Sequence, residues 1–428
     1  MRRRQFGNMP TAMITGSNGK TTTSRMLARI LTHVGYNVGL ATTDNIVIDG
    51  KVVVKGDWAG YRGHHVALSD PSTTAAVLET ARGGLLTHGL YIDQCDVAAL
   101  LNIGRDHVGS DGIQTMEQMA AHKRQVIEAA QKTIVLNADD SLCRQFIEEF
   151  PISRTTIFAY DANSEAVKRH IEMGGVAYCL YEKGEPHIIR LKGENRQRVI
   201  PIADLPSAVG GLIRHNIANA MAAAALAEGL DISMEAIREG LGSFQMNLEH
   251  SPGRFNIIDG YPFHMILDRA SHIDSATALV KCLDQIDVRG RRLCMCTALG
   301  DRPAWQYSEL SAILANHFDH FVCYERPEFL YGRVEGEVIE LLRSGLIAGG
   351  TEEHEIDAAT DYEDGLAQMA ALAKPGDLIA ILFSPEQDGA IPLVDKAFRG
   401  HAIAIRDRAR LAAKDHRSSC LETVNSMS

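Results

Sequence analysis

The chain has 428 residues, 45% hydrophobic and 23% charged, with a net charge of −11. That length predicts two or three domains with sizeable cores. The acidic balance excludes broad nucleic-acid binding, which needs basic surface, and no apolar run approaches the roughly 20 residues of a membrane span. The expected partners therefore include neither nucleic acid nor membrane. The start, Met1-Arg2-Arg3-Arg4, is basic but lacks the apolar stretch of a signal peptide. Eight scattered cysteines suit a reducing, cytoplasmic location. Cys294 and Cys296 flank one residue inside an apolar run, and buried strand thiols explain them better than a metal site.

Residues 12–23 carry the strongest chemical signal. Ala12 to Ile14 reads as the end of a buried strand, and Gly16 and Gly19 interrupt the pattern. From Lys20 onward Met26, Leu27, Ile30, Leu31 and Val34 recur at helical spacing. Strand, glycine turn and helix together form a phosphate cradle built from Gly16, Ser17, Asn18, Gly19, Lys20, Thr21 and Thr22. Turn N–H groups and the positive end of the helix point at one place, where anions bind. Lys20 brings a mobile charge for terminal phosphates, and Thr21 a hydroxyl for Mg²⁺. The competing reading is a tight turn that happens to contain Lys-Thr. The widespread P-loop has four residues between its glycines, whereas two separate Gly16 from Gly19, so this loop is a variant.

A second strand is expected at 36–43, then a hairpin over 46–54 turning at Asp49-Gly50. Residues 56–73 read as a loop, with His64-His65 a solvated pair lacking ligand spacing. Ala75 to Leu78 runs into Glu79, a candidate Mg²⁺ carboxylate at a strand end; the alternative is a surface glutamate before a turn. The strand at 97–103 ends in Asn102-Ile103-Gly104-Arg105-Asp106-His107-Val108-Gly109. Strand carboxyl ends gather ligands in open α/β sheets, so His107 is a candidate metal ligand against a capping or packing role. Thr115 to Ala130 is a helix opened by a Thr cap and Gln118. It carries Lys123, which alone reads as a solvated charge. A strand and turn follow at 134–140, then short β segments over 155–201 as a small sheet. The alanine-rich helix 214–228 places Asn216 and Asn219 on one face, where carboxamides suit an adenine edge; capping competes for Asn216.

A boundary falls at 249–254. Beyond it strands at 255–259, 263–267, 291–297, 319–324 and 377–383 alternate with helices near 274–286, 307–317, 332–344 and 359–373. The expected fold is α/β. A P-loop ATPase domain with a mostly parallel sheet and a small β subdomain spans 1–248. A Rossmann-like α/β domain spans 249–416, and a polar tail covers 417–428.

Taken together these stretches resemble the Mur ligase family, and within it the Mur-like portion of the cyanophycin synthetases. The motifs are Gly-Ser-Asn-Gly-Lys-Thr-Thr at 16–22, Leu-Glu-Thr-Ala-Arg-Gly-Gly at 78–84 and the 102–109 segment. Leu-Asn-Ala-Asp-Asp at 136–140, His-Asn-Ile-Ala-Asn-Ala at 215–220 and Pro-Gly-Arg-Phe at 252–255 complete the set. The resemblance implies ATP as nucleotide, Mg²⁺ on Thr21 and Glu79, and a second Mg²⁺ on His107 and a carbamylated Lys123. It also implies adenine against Asn216 and Asn219, Arg254 near the nucleotide and Asp268 on the ribose. The catalytic set it implies is Lys20, Glu79, His107 and Lys123. The family's N-terminal substrate domain and the synthetases' ATP-grasp portion are not expected in this chain. Its Asp-Tyr-Ala-His-Asn-Pro is here Asp268-Arg269-Ala270-Ser271-His272-Ile273, and Pro303-Ala304-Trp305 replaces the acidic cluster after Gly300-Asp301-Arg302.

The function implied is an ATP-dependent amide ligase working through an acyl phosphate, with amino acid or peptide substrates. A nucleotide-binding subunit of a larger synthetase, without ligase chemistry, is the alternative, motivated by the altered 268–273 stretch. A small-molecule kinase is a third reading and requires a stable phosphorylated product. A homo-oligomer or a partner synthetase subunit are the protein contacts left open.

Overall fold

The computed structural model describes residues 9–105, 108–109, 111–248, 250–382 and 387–401. The chain divides between Met246 and Asn247 into two compact units.

The first unit begins β1 (Thr11–Thr15), α1 (Lys20–His33), β2 (Val38–Ala41), β3 (Asn45–Ile48), β4 (Lys51–Lys55), α2 (Tyr61–Ser69), β5 (Ala75–Glu79) and α3 (Arg82–His88). It continues with β6 (Cys95–Leu100), α4 (Met116–Glu128), β7 (Ala130–Asn137), α5 (Ser141–Gln145), β8 (Thr155–Ala159) and α6 (Glu165–Glu172). It ends with β9 (Val176–Tyr181), β10 (His187–Lys192), β11 (Asn195–Pro201), α7 (Arg214–Gly229) and α8 (Met234–Gly242). All eleven strands form one sheet in the order β11-β10-β9-β8-β7-β6-β1-β5-β2-β3-β4. From β2 to β9 neighbours are parallel, and antiparallel strands close both edges.

Strands covered on both faces must be apolar throughout, and β1, β5 and β6 are buried at every position. Ala12 and Ile14 face one layer with Met26, Leu27, Ile30 and α7, while Met13, Leu78 and Leu100 face the other with Met119 and Val126. Each such Leu or Ile side chain stabilises by roughly 2 kcal/mol when fully buried. Helix α7 is apolar nearly all round, and Ala220 and Ala222 to Ala225 are buried. That pattern suits a helix enclosed between α1 and the sheet. The chain leaves β1 towards β2 on one side and leaves β6 towards β7 on the other. Such a reversal opens a crevice at the strands' carboxyl ends, where ligands bind.

Two expectations are corrected here. The 56–73 stretch contains helix α2. The β segments of 155–201 extend the large sheet instead of forming their own, because β8 pairs with β7 in parallel, and α6 interrupts them. Gly83 and Gly84 lie within α3.

The second unit comprises β12 (Asn256–Ile257), β13 (His264–Asp268), α9 (Ile273–Leu283), β14 (Arg292–Cys296), α10 (Ala304–Ala315) and β15 (His320–Cys323). Then come α11 (Glu337–Ala348), β16 (Ile356–Ala358), α12 (Tyr362–Leu372), β17 (Leu378–Leu382) and α13 (Gln387–Ala397). Its sheet runs β12-β13-β17-β14-β15-β16, parallel except at β12. Met265, Leu267, Leu293, Met295, Ile379 and Ile381 form its core. Cys294 and Cys296 are buried strand thiols, and the Cys296 and Cys323 sulfurs lie 3.8 Å apart. The expected tail, 417–428, lies outside the described residues.

Candidate active site

The turn after β1 is fixed from below by one side chain. The Ser17 and Asn18 N–H groups donate to Asn102 Oδ1 at 3.0 and 2.8 Å, and Asn102 Nδ2 donates to the Asn18 carbonyl at 3.0 Å. Asn102 follows β6, so the two strands flanking the crevice hold the loop between them. Gly19 has φ 83°, and a Cβ there would lie 2.2 Å from Asn219 Oδ1. Only glycine combines that left-handed backbone with so close a neighbour. Lys20 opens α1, and its Nζ donates to the Ser17 carbonyl at 2.8 Å. Thr21 and Thr22 are buried on the first turn.

Glu79 ends β5 and is 0% exposed, which removes the surface-glutamate alternative. Its carboxylate accepts from Thr21 Oγ1 at 2.9 Å, from the Thr43 N–H at 3.1 Å and from Thr43 Oγ1 at 2.6 Å. A buried polar group persists only when hydrogen-bonded in this way. Thr21 and Glu79 present oxygen donors alone, the set a hard cation such as Mg²⁺ takes. Among the described residues no three His, Cys, Asp or Glu side chains cluster as a metal cage. Mg²⁺ is ordinarily held by one or two carboxylates together with nucleotide phosphates.

Lys123 on α4 is 3% exposed and donates to Ser17 Oγ at 2.9 Å, so it is not the solvated charge its helix alone suggests. Ser17 Oγ also accepts from the Gly104 N–H at 2.7 Å. His107 and Asp106 lie outside the described residues. A cleft of about 690 Å³ opens beside the loop, lined by Gly16, Ser17, Lys20 and Lys123 and, opposite, by Asp57 to Gly63 and Ala81 to Gly84. Asp57, exposed at the cleft mouth, has its carboxyl raised above the ordinary range by the protein packed around it, with Glu79 adding and the Ala59 N–H and Lys20 opposing. Arg82 on the cleft wall is paired with Asp111 at 2.6 Å.

Asn216 and Asn219 sit behind the loop on α7. Asn219 Nδ2 donates to Asn216 Oδ1 at 3.0 Å, and Asn216 Nδ2 to the Ser207 carbonyl at 2.9 Å. Both amides are thus bonded within the protein, and Asn219 Oδ1 lies against Gly19 of the loop. In the second unit Arg254 and Asp268 are brought together. Asp268 Oδ2 accepts from the Phe255 N–H at 2.7 Å. Burial pushes its pKa up to about 6 against the opposing Arg254 guanidinium. Arg333 clamps the Gly300-Asp301-Arg302 loop, donating to the Gly300 and Arg302 carbonyls at 2.8 and 2.7 Å.

Sequence reasoning missed Thr43, the Asn102 side chain, Asp57 and His64. Thr43 and Asn102 each stand just past a parallel strand's carboxyl end, which was the available signal. His64 had none, because its partner is a backbone carbonyl distant in sequence.

Residues 14–227 match the model of the Mur ligase middle domain, and residues 253–383 that of the Mur ligase glutamate ligase domain. The chain belongs to the Mur ligase family. This Mur ligase family member is 33% identical over 397 residues to cyanophycin synthetase of Nostoc sp., across 91% of this chain and 43% of that protein. Against cyanophycin synthetase of Synechocystis sp. the identity is 34% over 395 residues, across 90% and 43%. The chain therefore spans under half the length of the curated relatives it matches. Its fold is that of E. coli FolC in complex with DHPP and ADP, with a TM-score of 0.63 at 20% identity, covering 91% of this chain and 89% of the other. A pseudomurein peptide ligase type C from Methanothermus fervidus gives a TM-score of 0.62 at 18% identity, covering 91% and 79%. The Mur ligase motifs read from the sequence and the two-unit α/β architecture thus agree. Among the described residues no helix is long and apolar enough to cross a membrane.

Proposed function

We propose that the chain is an ATP-dependent amide ligase. A substrate carboxylate takes the γ-phosphoryl group of ATP, and the amine of an amino acid or peptide displaces phosphate from the resulting acyl phosphate. The observation that carries this reading is the convergence of Lys20, the Thr21–Glu79 pair and buried Lys123 on one phosphate loop beside one cleft.

A carboxylate oxygen is a poor leaving group, so an amine alone does not displace it; the work left to the protein is positioning and charge neutralisation. The loop and Lys20 hold the β- and γ-phosphates in line with the cleft. Glu79 and Thr21 supply the protein's oxygens for Mg²⁺, which when bound offsets charge between the triphosphate and the attacking carboxylate. Asn219 also packs against Gly19 of the loop, and Asn216 and Asn219 are assigned to the adenine by their motif. Lys123 is assigned a carbamate: its amine adds to CO₂, loses a proton and becomes an anionic oxygen donor for a second Mg²⁺. Its burial against the phosphate loop, where it donates to Ser17 Oγ, supports this. His107, Arg254 and Asp268 are assigned by their motifs. A nucleotide-binding subunit without ligase chemistry is not favoured, because the relatives matched across both units are synthetases and ligases.

The substrates are proposed by likeness to cyanophycin synthetases. Single amino acids and short Asp/Arg peptides, offered in pairs with ATP and Mg²⁺, are expected to release phosphate only when an acid and an amine are both present. Mass spectrometry should find the condensed product. Phosphate release without any condensed product, whatever the pair, contradicts the ligase.

A further inference from the structure

His64 is buried at the back of the magnesium carboxylate, and nothing in the mechanism above uses it. Strand β2 pairs with β5 as far as Ala41 opposite Leu78. In a parallel ladder of that register, the next donor to β5 is the Thr43 N–H and its acceptor is the Glu79 carbonyl. The chain does something else. It turns at Thr42, whose N–H bonds the Asn45 carbonyl at 2.9 Å. The Thr43 N–H is diverted to the Glu79 side chain. The buried ion pair Arg25–Asp44, at 3.0 Å, ties that turn to α1.

The diversion deprives the Glu79 carbonyl of its ladder partner. His64 Nε2, from α2, lies 2.8 Å away and replaces it. A carbonyl only accepts, so Nε2 carries the hydrogen. The ring is 1% exposed, and its Nδ1 is buried with no hydrogen-bond partner among the described residues. An unpartnered buried nitrogen is a cost that a residue present for packing alone would not carry.

We propose that His64 is a positioning residue for the magnesium carboxylate. It closes the end of β5 so that the Thr43 N–H is free to aim Glu79 at the metal. The inference rests on the assignment of Glu79 as a Mg²⁺ ligand.

The test is Mn²⁺ binding by the full chain in the presence of ADP, followed by electron paramagnetic resonance, beside ADP binding in EDTA. His64→Leu, which has no donor, and His64→Asn, which is too short to reach, should each weaken Mn²⁺ binding at least fivefold. Binding of ADP in EDTA should stay within twofold. His64→Gln, whose amide reaches the Nε2 position, should keep Mn²⁺ binding within twofold of the parent. If His64→Leu does not fold, Asn against Gln decides alone. Parent-like Mn²⁺ binding by the Leu and Asn variants, or a Gln variant as weak as Asn, overturns the inference. Glu79→Gln separates the two levels. If it weakens Mn²⁺ binding while the His64 variants do not, only this inference fails; if it has no effect, the metal assignment fails and takes the inference with it.

Discussion

Lys20 leaves the first turn of α1 with its ammonium on the Ser17 carbonyl, so a terminal phosphate claims it in exchange for one neutral acceptor. Lys20→Ala should keep the circular dichroism of the parent and lose ATP turnover by more than a hundredfold. Turnover within about tenfold, a barrier change of roughly 1.4 kcal/mol, would mean the loop does not cradle a triphosphate. Lys123 is tested by rescue. Lys123→Ala should abolish ligation, and millimolar formate or acetate should restore part of it by supplying the missing oxygens; an alanine variant with parent-like activity rules the carbamate out. His64 makes a different prediction, in pH. Burial pushes its pKa down to about 4 from 6.5, with the Glu79 carbonyl opposing. Below pH 6.5 the unfolded chain takes up this proton and the folded chain does not, until about pH 4. The unfolded state therefore binds more protons in that window, and stability falls as pH falls. Relative to His64→Gln, the parent should lose up to about 3 kcal/mol of unfolding free energy between pH 6.5 and 4, measured by urea denaturation. Parallel pH profiles for the two proteins would contradict it.

At the level of elements, the cleft wall depends on how closely α3 approaches the start of α2. A Cβ on Gly84 would lie 2.9 Å from the Gly60 Cα, whereas one on Gly83, its neighbour in the same helix, meets nothing within 4 Å. Gly84→Ala should destabilise by about 1–3 kcal/mol through overpacking. Gly83→Ala should be neutral or stabilise by up to about 1 kcal/mol, since alanine loses less backbone entropy. Urea titrations of both decide it, and equal effects would mean that the approach is not tight. The same elements mark the limit of what local sequence reveals. Helix α4 was legible because its signal is local: Thr115 accepts from the Gln118 N–H, and Gln118 answers at the cap. The loop–helix pair around Lys20 was legible because chemistry fixes its residue types. Helix α2 was not, because Gly60, Gly63 and two histidines read as loop, and its support is tertiary: a Cβ on Gly63 would lie 1.9 Å from the Trp58 carbonyl. The pairing of β8 with β7 was equally hidden, since local periodicity reports which face is apolar and not which strand lies alongside. Glu79 was legible from its strand-end position and Lys123 from its family motif; the strand ends at Thr43 and Asn102 were visible in the sequence, but their hydrogen bonds to Glu79 and the loop were not.

At the level of the whole molecule, the first unit holds the loop, the carboxylate, the buried lysine and the cleft together, and the second holds a clamped loop and the Arg254–Asp268 pair. The net charge of −11 makes anionic substrates dependent on local cations rather than on the overall field. Lys20, with Arg62 and Arg82 on the cleft wall, supplies those cations. What the account claims centrally is a transfer of the γ-phosphoryl group to a carboxylate, and an isotope follows it directly. The acid found in the paired screen is labelled with ¹⁸O in its carboxyl group and turned over with ATP, Mg²⁺ and the amine, and the released phosphate is weighed by mass spectrometry. One ¹⁸O atom per phosphate is predicted, because the carboxyl oxygen leaves with the group that activated it. Unlabelled phosphate, or label retained in a stable phosphorylated product, would contradict the account.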